Sequence, residues 1–87
     1  MKILWDERAW SEYLDWQNED KKTLRKIKAL IKDIQRNPYI GIGKPEPLTG
    51  NLSGWWSRRI DDANRIVYKE KNDVIVIASC RGHYDDN

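Results

Sequence analysis

The sequence predicts a single domain of the α+β class, in which two helices pack on one face of a curved antiparallel sheet. Two early stretches have apolar residues at helical spacing, and three late stretches are rich in β-branched or aromatic residues. The chain has 87 residues, which is too short for two separate cores, so residues 1–87 are expected to form one domain. The expected order of elements is β-α-α-β-β-β.

The first half of the chain is expected to contain a strand and two helices. Lys2–Trp5 is a short strand-like stretch, and Asp6 is a suitable N-cap for a helix over Glu7–Asn18. Asp20 can cap a second helix, whose apolar residues fall on one face at a period of 3.6. Pro38 is expected to end this helix, because the residue before a proline leaves the α region.

The second half is expected to contain a structured loop and three strands. Residues 38–54 hold all three prolines and four of the five glycines, which interrupts any regular periodicity. A loop of this length in a small domain is usually functional or disordered, and its prolines favour order. Strands are expected over Trp55–Ile60, Arg65–Lys69 and Val74–Cys80, and the last has the β-branched run of a central strand buried on both faces.

The net charge of +2 conceals an uneven distribution of charge. Residues 1–20 hold two basic and six acidic side chains, a net charge of −4, whereas residues 21–36 hold seven basic side chains against Asp33 alone, a net charge of +6. A basic stretch this dense indicates a polyanionic partner, either nucleic acid or an acidic peptide. A solvated helix face is the alternative of about equal weight.

The composition argues against several classes of protein. There is no apolar run long enough to span a membrane, and the N-terminus lacks the features of a secretory signal. The single cysteine, Cys80, cannot form an internal disulfide, which fits a reducing, cytoplasmic location. One histidine and one cysteine without a ligand-spaced cluster indicate neither a metal site nor another cofactor.

Four motifs follow one another along the chain: Gly43–Leu48 with its Pro-Glu-Pro sequence, Asn51–Ile60 with Trp-Ser-Arg-Arg, Arg65–Tyr68, and Arg81–Tyr84. In this order and spacing they resemble the YoeB toxins of the RelE superfamily, and the similarity runs through most of the chain. The resemblance implies a compact fold like that of microbial ribonucleases. It also implies a toxin that enters the ribosomal A site and cuts mRNA there. The implied partner is an antitoxin resembling YefM, which wraps a disordered C-terminal segment around the toxin, and toxins of this type often form homodimers.

The resemblance further implies the residues of the active site. The catalytic glutamate, arginine and histidine of the family match Glu46, Arg65 and His83. Its additional phosphate-contacting arginine matches Arg59, and its base-stacking tyrosine matches Tyr84. The chain departs from the family in two places, an added Asp85-Asp86-Asn87 tail and a threonine at position 49 where relatives can carry a basic residue.

The chemistry of RNA cleavage fits these residue types independently of the resemblance. Attack by the 2′-hydroxyl needs a base for its proton, a cation for the phosphorane-like transition state, and an acid for the leaving 5′-oxygen. Glu46, Arg65 and His83 offer one side chain for each task, without a metal ion. Lys44, two residues before Glu46, is also expected to bind the substrate.

Each of these side chains also has a simpler interpretation. Glu46 could be a solvated loop acid, although prolines on both sides restrict the backbone around it. His83 could be a surface histidine near the terminus, and Arg59 and Arg65 could be exposed cations of strands. If the two arginines share the face opposite the helices, they form a cationic floor under a phosphate.

The basic helix is expected to dock on ribosomal RNA through phosphate contacts, which supply affinity but no sequence information. The docking residues are Lys21, Lys22, Arg25, Lys26, Lys28 and Lys32. Two other functions remain open at this point. One is a non-catalytic RNA-binding module that uses the same basic face, and the other is a toxin of the same fold that inhibits DNA gyrase.

Overall fold

Two helices and a five-stranded sheet make up the computed structural model, which describes residues 1–83. The elements are β1 Lys2–Trp5, α1 Glu7–Glu19, α2 Lys21–Arg36, β2 Glu46–Pro47, β3 Trp56–Arg59, β4 Arg65–Lys71 and β5 Val74–Ser79, with a short 3₁₀ turn over Gly50–Leu52 between β2 and β3. Tyr84 and the acidic tail, which the sequence analysis singles out, lie outside the described residues.

The predicted α+β class is confirmed, and the three late strands lie within two residues of their predicted bounds. The sheet has the order β1-β5-β4-β3-β2. Strand β1 pairs with β5 in parallel, so the sheet is mixed where the sequence predicts an antiparallel one. The alternation of apolar and polar residues along a strand does not show whether strands from opposite ends of a chain pair in parallel or antiparallel. Strand β2 was not predicted, because its two residues are too few to show alternation.

Local signals account well for the helices. Asp20 caps α2 as predicted, because its carboxylate accepts hydrogen bonds from the backbone N–H groups of Lys22 and Thr23 at 3.0 and 3.2 Å. Asp6 is the N-cap residue of α1, as predicted, although its side chain makes no capping hydrogen bond. Asn37, just before Pro38, is the C-cap of α2. Neither helix of the described chain is long and apolar enough to cross a lipid bilayer.

The core lies between the two helices and the helix-facing side of the sheet. Each large aliphatic side chain that leaves water on folding contributes roughly 1.5–3 kcal/mol. The fully buried aliphatic members are Ile27, Leu30, Ile34, Ile66, Ile75 and Ile77. Strand β5 alternates between buried and half-buried residues, so the expectation that both of its faces are buried is wrong. Burial raises the pKa of the Cys80 thiol to about 12, so this cysteine is an inert core residue.

A buried arginine connects the sheet to α2 and to the loop before β2. The guanidinium of Arg58 is fully buried and forms an ion pair with Asp33 of α2. It also donates to the phenol oxygen of Tyr68 at 3.1 Å, and to the carbonyl oxygens of Asn37 at 2.7 Å and Ile42 at 3.1 Å. The hydrogen bond from Arg58 holds the pKa of Asp33 below its ordinary value. The loop that leads to Glu46 is therefore attached to the sheet by a buried, hydrogen-bonded charge.

Candidate active site on the open face of the sheet

The face of the sheet away from the helices, here called the open face, is identified by the direction of Arg58. Because this side chain reaches α2, its neighbours Ser57 and Arg59 point to the opposite side of β3. The register of the neighbouring strands places further residues on the same side. Glu46 of β2 pairs with Ser57, and Arg65 of β4 pairs with Arg59.

Arg59 and Arg65 are direct cross-strand partners on the open face. Residues paired in this way hold their Cβ atoms about 4.5–5.5 Å apart. The structure meets the condition that the two arginines share the face opposite the helices. Two like charges in direct opposition repel each other, and an anion such as a phosphate between them removes that repulsion. Arg59 additionally forms an ion pair with the exposed carboxylate of Asp62.

Glu46 lies on the same face as the arginine pair. It is displaced from that pair along the direction of β3 by one same-face position, that is, by two residues. The separation between successive same-face positions of a strand is about 6.8 Å. Glu46 is exposed, and its backbone is part of the sheet through its pairing with Ser57. The side chain of this glutamate therefore projects from a paired strand rather than from a free loop.

The loop before Glu46 is hydrogen-bonded to the backbone of β3 at Arg59 and contains strained backbone. The N–H of Arg59 donates to the carbonyl oxygen of Gly43 at 2.6 Å. Gly43 has a φ of 79°, and the exposed Lys44 has a φ of 53°, which is uncommon for a residue other than glycine. A left-handed residue directly before a proline is further disfavoured, and such strain concentrates at functional sites. Lys44 is thus an exposed residue with a strained backbone, two positions before Glu46.

We expect Gly43→Ala to destabilise the protein by roughly 1–3 kcal/mol, because alanine is strained at this φ and its methyl group meets neighbours. A Cβ atom at this position would lie 2.7 Å from Cδ2 of Leu30 and 3.0 Å from the carbonyl oxygen of Arg59. Denaturant unfolding measures the loss. Gly54→Ala is the matched control, since Gly54 also has a positive φ, 95°, but nothing lies within 4 Å of its added Cβ. Equal losses in the two variants would contradict the proposed close approach.

The chain before His83 is attached next to Arg65. The N–H of Arg65 donates to the carbonyl oxygen of Gly82 at 3.0 Å, and the N–H of Gly82 donates to Oδ1 of Asn64 at 2.8 Å. His83 follows directly and is exposed. The structure thus brings Glu46 and Arg65 to one face and fixes the residue before His83 to the strand that carries Arg65.

Sequence reasoning missed the role of Asn64. The carboxylate of Asp61 accepts hydrogen bonds from the N–H groups of Ala63 and Asn64, both at 2.8 Å, and so shapes the β3–β4 turn. The turn composition of residues 61–64 predicts the turn. It does not predict that the amide of Asn64 reaches Gly82, 18 positions further along the chain.

All six predicted docking residues of α2 are exposed. Lys22 and Lys26, near the start of the helix, line a surface cavity that also includes Ile60 and Asp61 from the end of β3. The basic side of α2 therefore borders the β3–β4 turn, whose other end carries Arg65. An RNA-binding surface on the helix would thus adjoin the edge of the open face.

Known proteins share both the sequence and the fold of this chain. The family model described as "YoeB-like toxin of bacterial type II toxin-antitoxin system" matches residues 5–84. Toxin YoeB of Escherichia coli strain K12 is 54% identical over 84 residues, which cover 97% of this chain and 100% of that protein. Toxin RelK of Mycobacterium tuberculosis strain H37Rv is 52% identical over 82 residues, which cover 94% of this chain and 96% of that protein.

Solved structures agree with the sequence relatives. The YoeB/ParE toxin from Agrobacterium tumefaciens has a TM-score of 0.92 at 41% identity, covering 97% of this chain and 100% of that one. The YoeB dimer from Staphylococcus aureus has a TM-score of 0.90 at 45% identity, covering 97% of this chain and 98% of that one. Fold and sequence together define a toxin of a bacterial type II toxin–antitoxin system. Within this class, the chain belongs to the YoeB toxin family.

Proposed function

We propose that this toxin is a ribosome-dependent endoribonuclease, which cuts mRNA in the ribosomal A site and so inhibits translation in the cytoplasm. The observation that carries the proposal is the placement of Glu46 beside the Arg59–Arg65 pair on the open face of the sheet. The backbone hydrogen bond between Arg65 and Gly82 supports the inclusion of His83, the next residue, in the same site. In the proposed complex, the scissile phosphodiester lies between the carboxylate, the guanidinium pair and the imidazole.

The proposed reaction assigns one task to each side chain. Glu46 takes the proton of the ribose 2′-hydroxyl, and the 2′-oxygen forms a bond to phosphorus. Arg65 stabilises the added negative charge on the phosphorane-like transition state. His83 gives a proton to the 5′-oxygen as the bond from phosphorus to that oxygen breaks. The products are a 2′,3′-cyclic phosphate on the upstream fragment and a 5′-hydroxyl on the downstream fragment.

Three further residues complete the proposed substrate contacts. Arg59 is the second cation under the phosphate, because its cross-strand partner is Arg65. Lys44 contacts the RNA backbone from the exposed rim of the strained loop. Tyr84 is proposed to stack on a base, a contact worth roughly 1–3 kcal/mol.

The experiment that tests this function adds the purified protein to translating ribosomes and maps the ends of the message. We expect new ends within A-site codons with the wild type, and far fewer such ends with Glu46→Gln or His83→Gln. A non-catalytic RNA-binding module would bind ribosomes and leave the message intact. A gyrase inhibitor would leave the message intact and block DNA supercoiling instead. Either of these results with the wild type would reject the nuclease proposal.

The exposed lysines at the start of α2 are proposed to dock on ribosomal RNA. Reversing the charge of Lys21, Lys22 and Lys26 to glutamate is expected to weaken ribosome binding. The slope of log affinity against log salt should fall by roughly one for each lost phosphate contact. Binding measured over a salt series tests this expectation. Lys71→Glu, at the end of β4 rather than on the helix, is the control. A salt slope unchanged by the triple reversal would exclude α2 as the docking surface.

Relatives of known structure suggest the protein partners. The YoeB toxin of Staphylococcus aureus is described as a dimer and in a heterotetrameric YoeB–YefM complex. We infer that this chain is neutralised by a YefM-like antitoxin and can form a homodimer. An aromatic cluster of Trp5, Trp10 and Tyr13 supports a protein contact, since Trp10 is 45% exposed and its ring lies 5.7 Å from that of Trp5. Sedimentation of the toxin alone and with its antitoxin measures both assemblies.

A further inference from the structure

Ser57 carries a buried hydroxyl group whose hydrogen-bonding capacity is unused. The residue lies in the middle of β3 and is 0% exposed. Its Oγ atom has no hydrogen-bond partner among residues 1–83. Buried side-chain hydroxyls in native proteins are nearly always hydrogen-bonded, so an unpaired one calls for an explanation.

The unpaired hydroxyl does not serve the stability of the free protein. An unsatisfied buried polar group costs free energy, and an apolar side chain of the same size would remove that cost. Its neighbour Arg58, buried on the other side of the same strand, shows the contrast, since its guanidinium has several hydrogen-bond acceptors. On this strand, the buried polar side chain that faces α2 is hydrogen-bonded, whereas the buried one on the open face is not.

The position of Ser57 connects it to the proposed general base. Ser57 is the direct cross-strand partner of Glu46, and both side chains are on the open face. Cβ atoms of such a pair lie about 4.5–5.5 Å apart, which lets a glutamate carboxylate fold back to a serine hydroxyl of the partner strand. On its other side Ser57 pairs with the apolar Val67, which offers no hydrogen-bonding side chain.

We propose that Ser57 is a positioning residue, whose hydroxyl donates a hydrogen bond to the Glu46 carboxylate when RNA occupies the open face. This inference rests on the proposed nuclease function and adds a residue to its site. The RNA ribose would draw the carboxylate over β3, where the hydroxyl fixes one oxygen and leaves the other directed at the 2′-hydroxyl. A carboxylate held in this way needs less reorganisation at the moment of proton transfer.

Ser57→Ala is the test, with three readouts on the full-length protein. The single-turnover cleavage rate on saturating programmed ribosomes should fall roughly tenfold, the effect of one hydrogen bond to a charged group. The ribosome concentration at half-maximal rate should stay unchanged, since Ser57 does not itself contact RNA. The midpoint of thermal unfolding should stay equal or rise, because the variant loses an unpaired buried hydroxyl. Lower activity together with undiminished stability is a combination that a merely structural serine would not produce.

Ser79→Ala is the matched control. Ser79 is 9% exposed, and it pairs with Val67 on the side of Val67 away from Ser57. This variant should cleave at the wild-type rate. In a Glu46→Ala background, whose residual cleavage is followed over longer times, Ser57→Ala should have no further effect. Wild-type cleavage by Ser57→Ala, or a loss that persists without Glu46, would overturn the inference and leave the nuclease proposal standing. Failure of the wild type itself to cut ribosome-bound message would overturn both.

Discussion

Replacement of Arg65 by alanine is expected to lower the single-turnover cleavage rate by roughly 10²–10³-fold, the loss seen when a preorganised group that stabilises transition-state charge is removed. Arg65 lies on β4 within the sheet, and its backbone N–H donates a hydrogen bond to the carbonyl oxygen of Gly82. Its backbone is therefore fixed in the sheet before the phosphate binds. Cleavage on saturating programmed ribosomes measures the rate, and filter binding or sedimentation measures the affinity for ribosomes.

The affinity for ribosomes should change little in Arg65→Ala, because the proposed docking charges lie on α2. Arg25→Ala is the control with the opposite expectation, since the exposed Arg25 on α2 should affect binding and not the rate at saturation. Arg65→Lys should recover only part of the rate, because an ammonium group lacks the planar fork that contacts two phosphate oxygens. Loss of ribosome binding in Arg65→Ala would contradict the assigned role.

Arg58→Met is expected to cost roughly 3–5 kcal/mol of folding free energy, because it removes one partner of a buried ion pair. A loss of this size is comparable to the whole stability of a small domain. The side chain of Arg58 is 0% exposed, and the carbonyl oxygens of Asn37 and Ile42 depend on it for hydrogen bonds. Denaturant unfolding followed by tryptophan fluorescence measures the change.

Arg36→Met is the matched control for this variant. Arg36 forms an ion pair with the same carboxylate, Asp33, but its side chain is 83% exposed. Exposed pairs of this kind contribute about 0–1 kcal/mol. Similar losses in Arg36→Met and Arg58→Met would show that the buried network is not what holds the loop before β2.

The parts of the fold that depend on local sequence could be predicted. The apolar face of α2 and the capping aspartate, Asp20, are determined by residues within one or two helical turns. The parallel pairing of β1 with β5 depends on residues about 70 positions apart, for example Ile3 with Ile75, and no local pattern encodes it. Burial of Arg58 was missed for a related reason. Alternation separates it from Arg59, but it does not indicate which of the two cations faces the core.

The residues of the candidate site, like the elements of the fold, were predicted only in part. Motif and chemistry singled out Glu46, Arg65 and His83, and the register places the first two on one face. The functional roles of these residues remain predictions. Asn64 and Ser57 were not predicted. The first acts through a contact 18 positions away, and the second is notable only because the folded chain leaves its hydroxyl unpaired.

The most direct test of the nuclease account uses a message with one 2′-deoxyribose in the A-site codon. In-line attack by the 2′-hydroxyl is the step that Glu46, Arg65 and His83 are proposed to promote. We expect wild-type protein to cut the all-ribose message on programmed ribosomes and leave a 2′,3′-cyclic phosphate at the new end. The message that lacks the hydroxyl at the scissile nucleotide should stay intact at that position. Cleavage of the deoxy-substituted message at the same bond would contradict the proposed chemistry.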